Sequence, residues 1–357
     1  MAPNPPPAAR PTVPVSARLV PLALLLLAAH PARGETGLLR DVVFADYTPL
    51  SGNPELARRL LTPLAAATLP QRVAGSGKRL AEQPIELSEE RFIVYVPAAP
   101  PRQGYGLLAF VPPWPEASLP PRWAATLDRQ GVIFVSAARS GNDASVLARR
   151  EPLALLAAHN LMQRYPVDPE RVYVGGFSGG ARVAMRLALG YPDLFRGAIL
   201  NAGSDPIGGA EIPLPPRDLF MRFQSSTRIV YVTGERDDPH VSDDSVSMQS
   251  MRHWCVFGLE SFTTPFVGHT VADAAALSRA LEALRARTPT DPDKLARCRS
   301  TIESELAKSF QRVEALNAGG RGTEAEKLLR QLDERFGGLA APRSLELARK
   351  YFTSSPP

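Results

Sequence analysis

The sequence is poor in cysteine, in surplus charge and in long apolar runs, and each scarcity excludes something. Two cysteines, Cys255 and Cys298, stand among 357 residues. No histidine pair lies beside them at ligand spacing, so they do not make a zinc site. The formal net charge is +5, but residues 1–34 hold Arg10, Arg18 and Arg33 and no acidic side chain. Taking those three from the 41 basic residues leaves 38 against 36 acidic ones. That balance gives no footing for a nucleic acid or an acidic membrane as partner. Past residue 34 no stretch approaches the roughly 20 apolar residues that a membrane-spanning helix needs, so no stable membrane insertion of the mature chain is expected. What remains, 44% hydrophobic and 22% charged, is globular composition rather than disordered or fibrous.

The amino terminus reads as an address. Residues 1–18 are proline-rich and positive, Leu19 to Ala29 is an apolar run of 11, and Ala32 and Gly34 precede Glu35 as small residues. This is the pattern of a secretory signal peptide, with an uncleaved anchor as the rival reading. Export to the periplasm or the medium is therefore expected. In an oxidising compartment the two cysteines, 43 positions apart, can close one disulfide; two buried thiols are the alternative.

From residue 90 onward, strand and helix patterns alternate. Strands are predicted at Arg91–Pro97, Gly106–Val111, Gly131–Ala137, Arg171–Gly175, Gly197–Asn201, Arg228–Thr233 and Ser261–Val267. Helices are predicted at Arg122–Arg129, Pro152–Tyr165, Gly179–Leu189, Asp243–Trp254 and Val271–Arg287. Continuous apolar runs such as GLLAFV suit strands covered on both faces, so the class is α/β with a doubly wound, mostly parallel sheet. Residues 35–85 carry little signal beyond a helix over Glu55–Leu61. In the tail, Leu295, Ile302, Leu306, Phe310 and Val313 recur at helical steps. Thr323 and Glu326 read as a capping box for a second helix through Phe336, and a third spans Arg343–Phe352. This helical appendage is expected to pack on the main domain, a protein-contact role being the rival.

The chemistry points to Gly176-Phe177-Ser178-Gly179-Gly180. A Gly-x-Ser-x-Gly pattern gains force when an apolar strand precedes it and an amphipathic helix follows, as here. The turn would raise the Ser178 hydroxyl over the carboxyl edge of the sheet, with the following helix directing its N-terminal amides at the same point. A serine hydroxyl needs a base. His269, between the last strand and last helix, opens on that edge; His240 is the rival, while His159 and His253 fall inside predicted helices. The orienting acid is read as Asp237, after the strand RIVYVT, with Asp238 and then Asp205 behind it. Ser178, Asp237, His269 is the chain order of one known triad arrangement. For an oxyanion hole, Gly179 follows the nucleophile. After GLLAFV the loop reads Pro112-Pro113-Trp114-Pro115, where only Trp114 has an amide N–H. The loop Arg139–Asp143 ends on the same edge and could line a pocket.

The stretch VDPERVYVGGFSGG (residues 167–180) resembles the nucleophile segment of the poly(3-hydroxybutyrate) depolymerase and feruloyl-esterase branch of the α/β-hydrolases. The Gly-Glu-Arg-Asp and Gly-His elements are similar to that superfamily's acid and base loops. The resemblance spans roughly residues 90–287. It implies an α/β-hydrolase fold, cofactor-free ester hydrolysis, and Ser178, Asp237 and His269 as the triad. The proline-rich loop departs from it, since relatives commonly place His-Gly there. The organisation expected is a signal peptide over 1–34, an N-terminal extension over 35–89, an α/β-hydrolase domain over 90–290 and a helical appendage over 291–357. The expected activity is cleavage of a small or polymeric carboxylic ester. A serine peptidase of the same fold and a hydrolase-like binding protein are the alternatives.

Overall fold

In a computed structural model the described residues are 1–5, 34–77, 79–286 and 290–352. The segment read as a signal peptide lies outside them from residue 6 to 33. From Gly34 onward the described residues form one compact unit, so those within 35–89 and 291–352 belong to the same body as those within 90–290.

Eight strands make the sheet: β1 (Gly37–Val42), β2 (Phe92–Val96), β3 (Tyr105–Val111), β4 (Val132–Ala137), β5 (Val167–Phe177), β6 (Gly197–Asn201), β7 (Arg228–Gly234) and β8 (Leu259–Thr264). Their order is β1-β2-β4-β3-β5-β6-β7-β8. β2 is antiparallel to both its neighbours and every other pair is parallel. With helices between the parallel strands, this is the α/β-hydrolase fold. The helices are α1 (Asn53–Leu60), α2 (Pro63–Gly75), α3 (Trp123–Gln130), α4 (Glu151–Arg164), α5 (Gly179–Gly190), α6 (Arg217–Ser226), α7 (Asp238–His253), α8 (Ala274–Arg285), α9 (Pro292–Ala318), α10 (Gly322–Phe336) and α11 (Arg343–Tyr351).

The two-residue period of the strands divides their side chains between two cores. Leu107, Ala109 and Val111 of β3 join Leu153, Leu156, Ala181 and Ala184 of α4 and α5. Leu108 and Phe110 join Trp123, Leu127, Leu277 and Leu281 of α3 and α8 on the opposite face. All seven residues of β3 are buried, and each large apolar side chain so buried contributes roughly 1.5–3 kcal/mol. Buried on both faces, β3, β5 and β6 form a fixed platform whose carboxyl ends carry the site.

The tail packs against the main domain. Leu295, Ile302, Leu306, Val313 and Leu329 bury into the same core as α4 and α5. The Asp333 carboxylate accepts the Leu64 amide at the start of α2. Cys255, just past α7, and Cys298 in α9 form a disulfide with Cα atoms 5.8 Å apart. Among the described residues no helix is long and apolar enough to cross a membrane.

Five local features differ from the sequence reading. β1 comes from the segment without signal and forms the sheet's edge; its alternate residues are exposed, so its pattern is weak. α2, which holds Pro70 inside it, and α6 were not read from sequence. α7 begins at Asp238 rather than Asp243, because Pro239 suits the first turn of a helix. The capping box at Thr323 does not form: Arg321 is the N-cap residue of α10, and its guanidinium pairs with Glu324 across the first turn.

Candidate active site

Ser178 sits between β5 and α5 with φ +53° and ψ −124°. A non-glycine residue at positive φ costs about 1–3 kcal/mol and persists only where its surroundings force it. Here the Ser178 amide donates to the Asn201 carbonyl at 2.9 Å, and its carbonyl accepts Ala181 at 2.9 Å. The turn closes because Gly180 has no side chain: a Cβ there would stand 1.9 Å from the Val111 carbonyl oxygen. β3 and α5 can therefore approach backbone to backbone, and the hydroxyl stands above the sheet edge.

Asp237 and His269 come from two neighbouring loops laced together. Arg236 donates its amide to the Val267 carbonyl at 2.8 Å, and Glu235 to the Thr264 carbonyl at 3.0 Å. Asp237, in the first loop, holds the N-cap position of α7 without a side-chain capping bond and is 5% exposed. His269 stands in the second. The Ser178 hydroxyl donates to His269 Nε2 over 3.1 Å. His269 Nδ1–H donates to Asp237 Oδ2 over 2.7 Å. The ring of Phe177 packs on His269 at 4.8 Å. Burial alone would push the Asp237 carboxyl up. Bonds from His240 and His269 outweigh that and hold it below the usual aspartate range.

His240 was read from sequence on a loop; it lies in the first turn of α7. Its Nδ1–H donates to Asp237 Oδ1 over 2.8 Å, and no hydrogen bond joins it to Ser178. Asp238 opens α7 as an exposed residue. Asp205 pairs with Arg182 at 3.1 Å and stays apart from the histidines. His159 and His253 lie inside α4 and α7, as the helical pattern predicts. Asp237, His240 and His269 offer ligand atoms within 4.8 Å of one another. Both Nδ1 atoms, however, are already turned to the carboxylate at hydrogen-bond distance, on rings that stack rather than converge. The donor set fits two N–H bonds to one anion better than a metal ion.

The amides of Gly179 and Trp114 make no hydrogen bond to the described residues. Trp114 is held by its indole, which donates to Ser118 Oγ at 3.1 Å, and packs near Phe177. Below the loop, the buried Arg150 guanidinium donates to the Pro112 carbonyl at 2.9 Å and to the Ser140 carbonyl at 3.0 Å. Arg150 closes a π-helical turn, Val146–Arg150, a local distortion that often marks functional sites. The sequence reading missed Arg150 and the second bond to Asp237. No local sequence signal marks either: the burial of Arg150 and the start of α7 that brings His240 to Asp237 are both set by the tertiary fold.

The strand order and the flanking helices are those of the α/β-hydrolase fold. No protein-family model matches the chain, and no curated protein matches it. Among solved structures, the chain is similar to a ferulic acid esterase at 17% identity, over 56% of this chain and 93% of that one, with TM-score 0.41. It is similar to LpqC, a poly(3-hydroxybutyrate) depolymerase from Bordetella parapertussis, at 16% identity over 58% and 88%, with TM-score 0.40. It is also similar to dipeptidyl peptidase 4 of Porphyromonas gingivalis at 13% identity, over 55% of this chain and 33% of that one, with TM-score 0.40. The chain thus spans about a third of that peptidase's length.

Proposed function

We propose that the protein is an exported serine hydrolase that cleaves a carboxylic ester through an acyl-enzyme. The observation that supports this most is the unbroken chain from Ser178 Oγ through His269 to Asp237, at 3.1 and 2.7 Å. In this reading Ser178 Oγ attacks the ester carbonyl while His269 Nε2 takes its proton. The Asp237 carboxylate keeps His269 in the Nδ1–H tautomer and offsets the imidazolium charge. The amides of Gly179 and Trp114 receive the negative oxygen of the tetrahedral intermediate. His269 returns the proton to the departing alcohol. Water, deprotonated by the same imidazole, then releases the acid and restores Ser178. The disulfide supports the exported part of the reading, since such bonds persist in oxidising compartments.

A fluorophosphonate probe tests the nucleophile. Covalent labelling of the intact protein, lost in Ser178→Ala, is expected; absence of labelling in the unaltered protein overturns the enzyme reading. p-Nitrophenyl esters assayed beside peptide anilides test the bond cleaved. Ester hydrolysis is expected, and anilide cleavage without it would make the protein a peptidase.

A further inference from the structure

We infer that the Asn142 carboxamide is a third donor of the oxyanion hole, and so a catalytic residue. The inference rests on the serine-esterase reading and deepens it. The ordinary donor loop is impoverished here: in Pro112-Pro113-Trp114-Pro115 three residues lack an N–H. The loop after β4 is folded directly onto it. Arg139 donates its amide to the Pro115 carbonyl at 2.5 Å, and Asn142 donates its own to the Pro113 carbonyl at 3.0 Å. Arg150 bridges both loops from below. The Asn142 backbone is thereby held beside the site.

The side chain reaches the nucleophile turn itself. A Cβ on Gly179 would stand 2.3 Å from Asn142 Oδ1, closer than real Cβ atoms come, and 3.1 Å from Nδ2. The carboxamide occupies the volume that a side chain at position 179 would fill, beside the residue whose amide faces the developing oxyanion. Asn142 is exposed, and its carboxamide makes no hydrogen bond with the described residues. As placed, Oδ1 is the atom nearer Gly179, and a half-turn about Cβ–Cγ, which exchanges oxygen and nitrogen, brings the Nδ2 donor to that position. Its N–H would meet the substrate oxygen as charge gathers there during attack by Ser178 Oγ. No proton is transferred from it.

The test compares Asn142→Ala and the isosteric Asn142→Asp with the unaltered protein, using a p-nitrophenyl ester and the fluorophosphonate probe. Thermal melts report the fold of each variant. Losing one oxyanion donor costs about 10²–10³-fold in turnover in serine hydrolases. A fall in kcat approaching that range in both variants, with KM nearly unchanged, is expected. Weaker inhibition by a trifluoromethyl ketone, which forms a tetrahedral adduct, is expected alongside it. If the unaltered protein is active and both variants keep its kcat, or lose only in KM, the inference is overturned and the esterase reading stands. If the unaltered protein neither hydrolyses ester nor takes the probe, the esterase reading fails and carries the inference with it.

Discussion

His240 and His269 lie ring on ring, 4.3 Å between centroids and 20° between planes, and share the Asp237 carboxylate. Each carboxylate oxygen accepts one imidazole N–H, so neither oxygen can rotate away without breaking a bond. A hydrogen bond to a charged group is worth about 1.5–3 kcal/mol. His240 therefore acts through Asp237, fixing its rotamer and helping to hold its pKa low. His240→Ala should lower kcat about tenfold, half or more of one such bond, with KM little changed. His240→Asn, whose Nδ2–H can replace Nδ1–H, should recover most of the loss. Without the second donor Asp237 protonates at higher pH, so the alanine variant should lose more activity on acidification than the asparagine one. Steady-state rates across pH check all three statements. An alanine variant equal to the unaltered protein would reduce His240 to a bystander.

Acid stability should depend on Glu55. This residue binds Arg58 through two oxygens at 2.8 and 2.9 Å, and Arg59 at 2.6 Å. The buried Arg59 goes on to Asp193 at 2.7 Å and stacks over Tyr191, tying α1 to the end of α5. The Arg58 hydrogen bond leads, burial opposes it, and the carboxyl falls from 4.5 to about 2. A carboxyl with a lowered folded pKa contributes stability that is present above 4.5 and disappears as pH falls through about 2. Melting temperatures of Glu55→Gln should lie below those of the unaltered protein at pH 7, and the gap should close toward pH 2. A constant gap would mean that Glu55 acts through packing alone.

The sequence made the sheet legible from β2 to β7 because the central stretches of those strands are apolar on both faces, a pattern that survives without tertiary information, whereas β8, an edge strand largely exposed, was read at 261–267 and lies at Leu259–Thr264. β1 was not legible, since an edge strand with alternate residues exposed resembles a loop. At the site, the five-residue serine pattern is local, and it pointed to a turn that the structure does form. The two loops carrying Asp237 and His269 were found because strands ending on one sheet edge must deliver their loops there. His240 and Asn142 were harder. Their relation to Asp237 and Gly179 depends on where a helix starts and on how a loop folds across its neighbour, and neither is written in a local pattern.

The disulfide should matter to stability and not to chemistry. It closes a loop of 43 positions between the end of α7 and α9, for which the chain-entropy model gives about 4 kcal/mol. The bond lies on the tail side of the molecule, and no residue of α9 contacts Ser178, Asp237 or His269 by hydrogen bond. The double variant Cys255→Ala, Cys298→Ala should unfold at lower denaturant concentration while hydrolysing ester at the unaltered rate below its transition. Equal denaturation midpoints would show that packing of Leu295 and Ile302 alone secures the tail.

Arg150 should control the oxyanion hole without touching substrate. Its guanidinium is buried, and burial lowers its pKa. It donates hydrogen bonds to two carbonyls, Pro112 and Ser140, which belong to the two loops that frame Gly179. Arg150→Met keeps much of the side-chain volume and removes both bonds. Each abandoned buried acceptor costs about 1–3 kcal/mol, so the variant should melt lower. The loops that carry Trp114 and Asn142 should also lose their common anchor, and kcat should fall while the fluorophosphonate still reaches Ser178 more slowly. Arg150→Lys offers one compact ammonium in place of a planar fork and cannot span both carbonyls with the same geometry. It should therefore restore stability better than turnover. A lysine variant with full activity would show that charge under the loops, and not their bridging, is what the site requires.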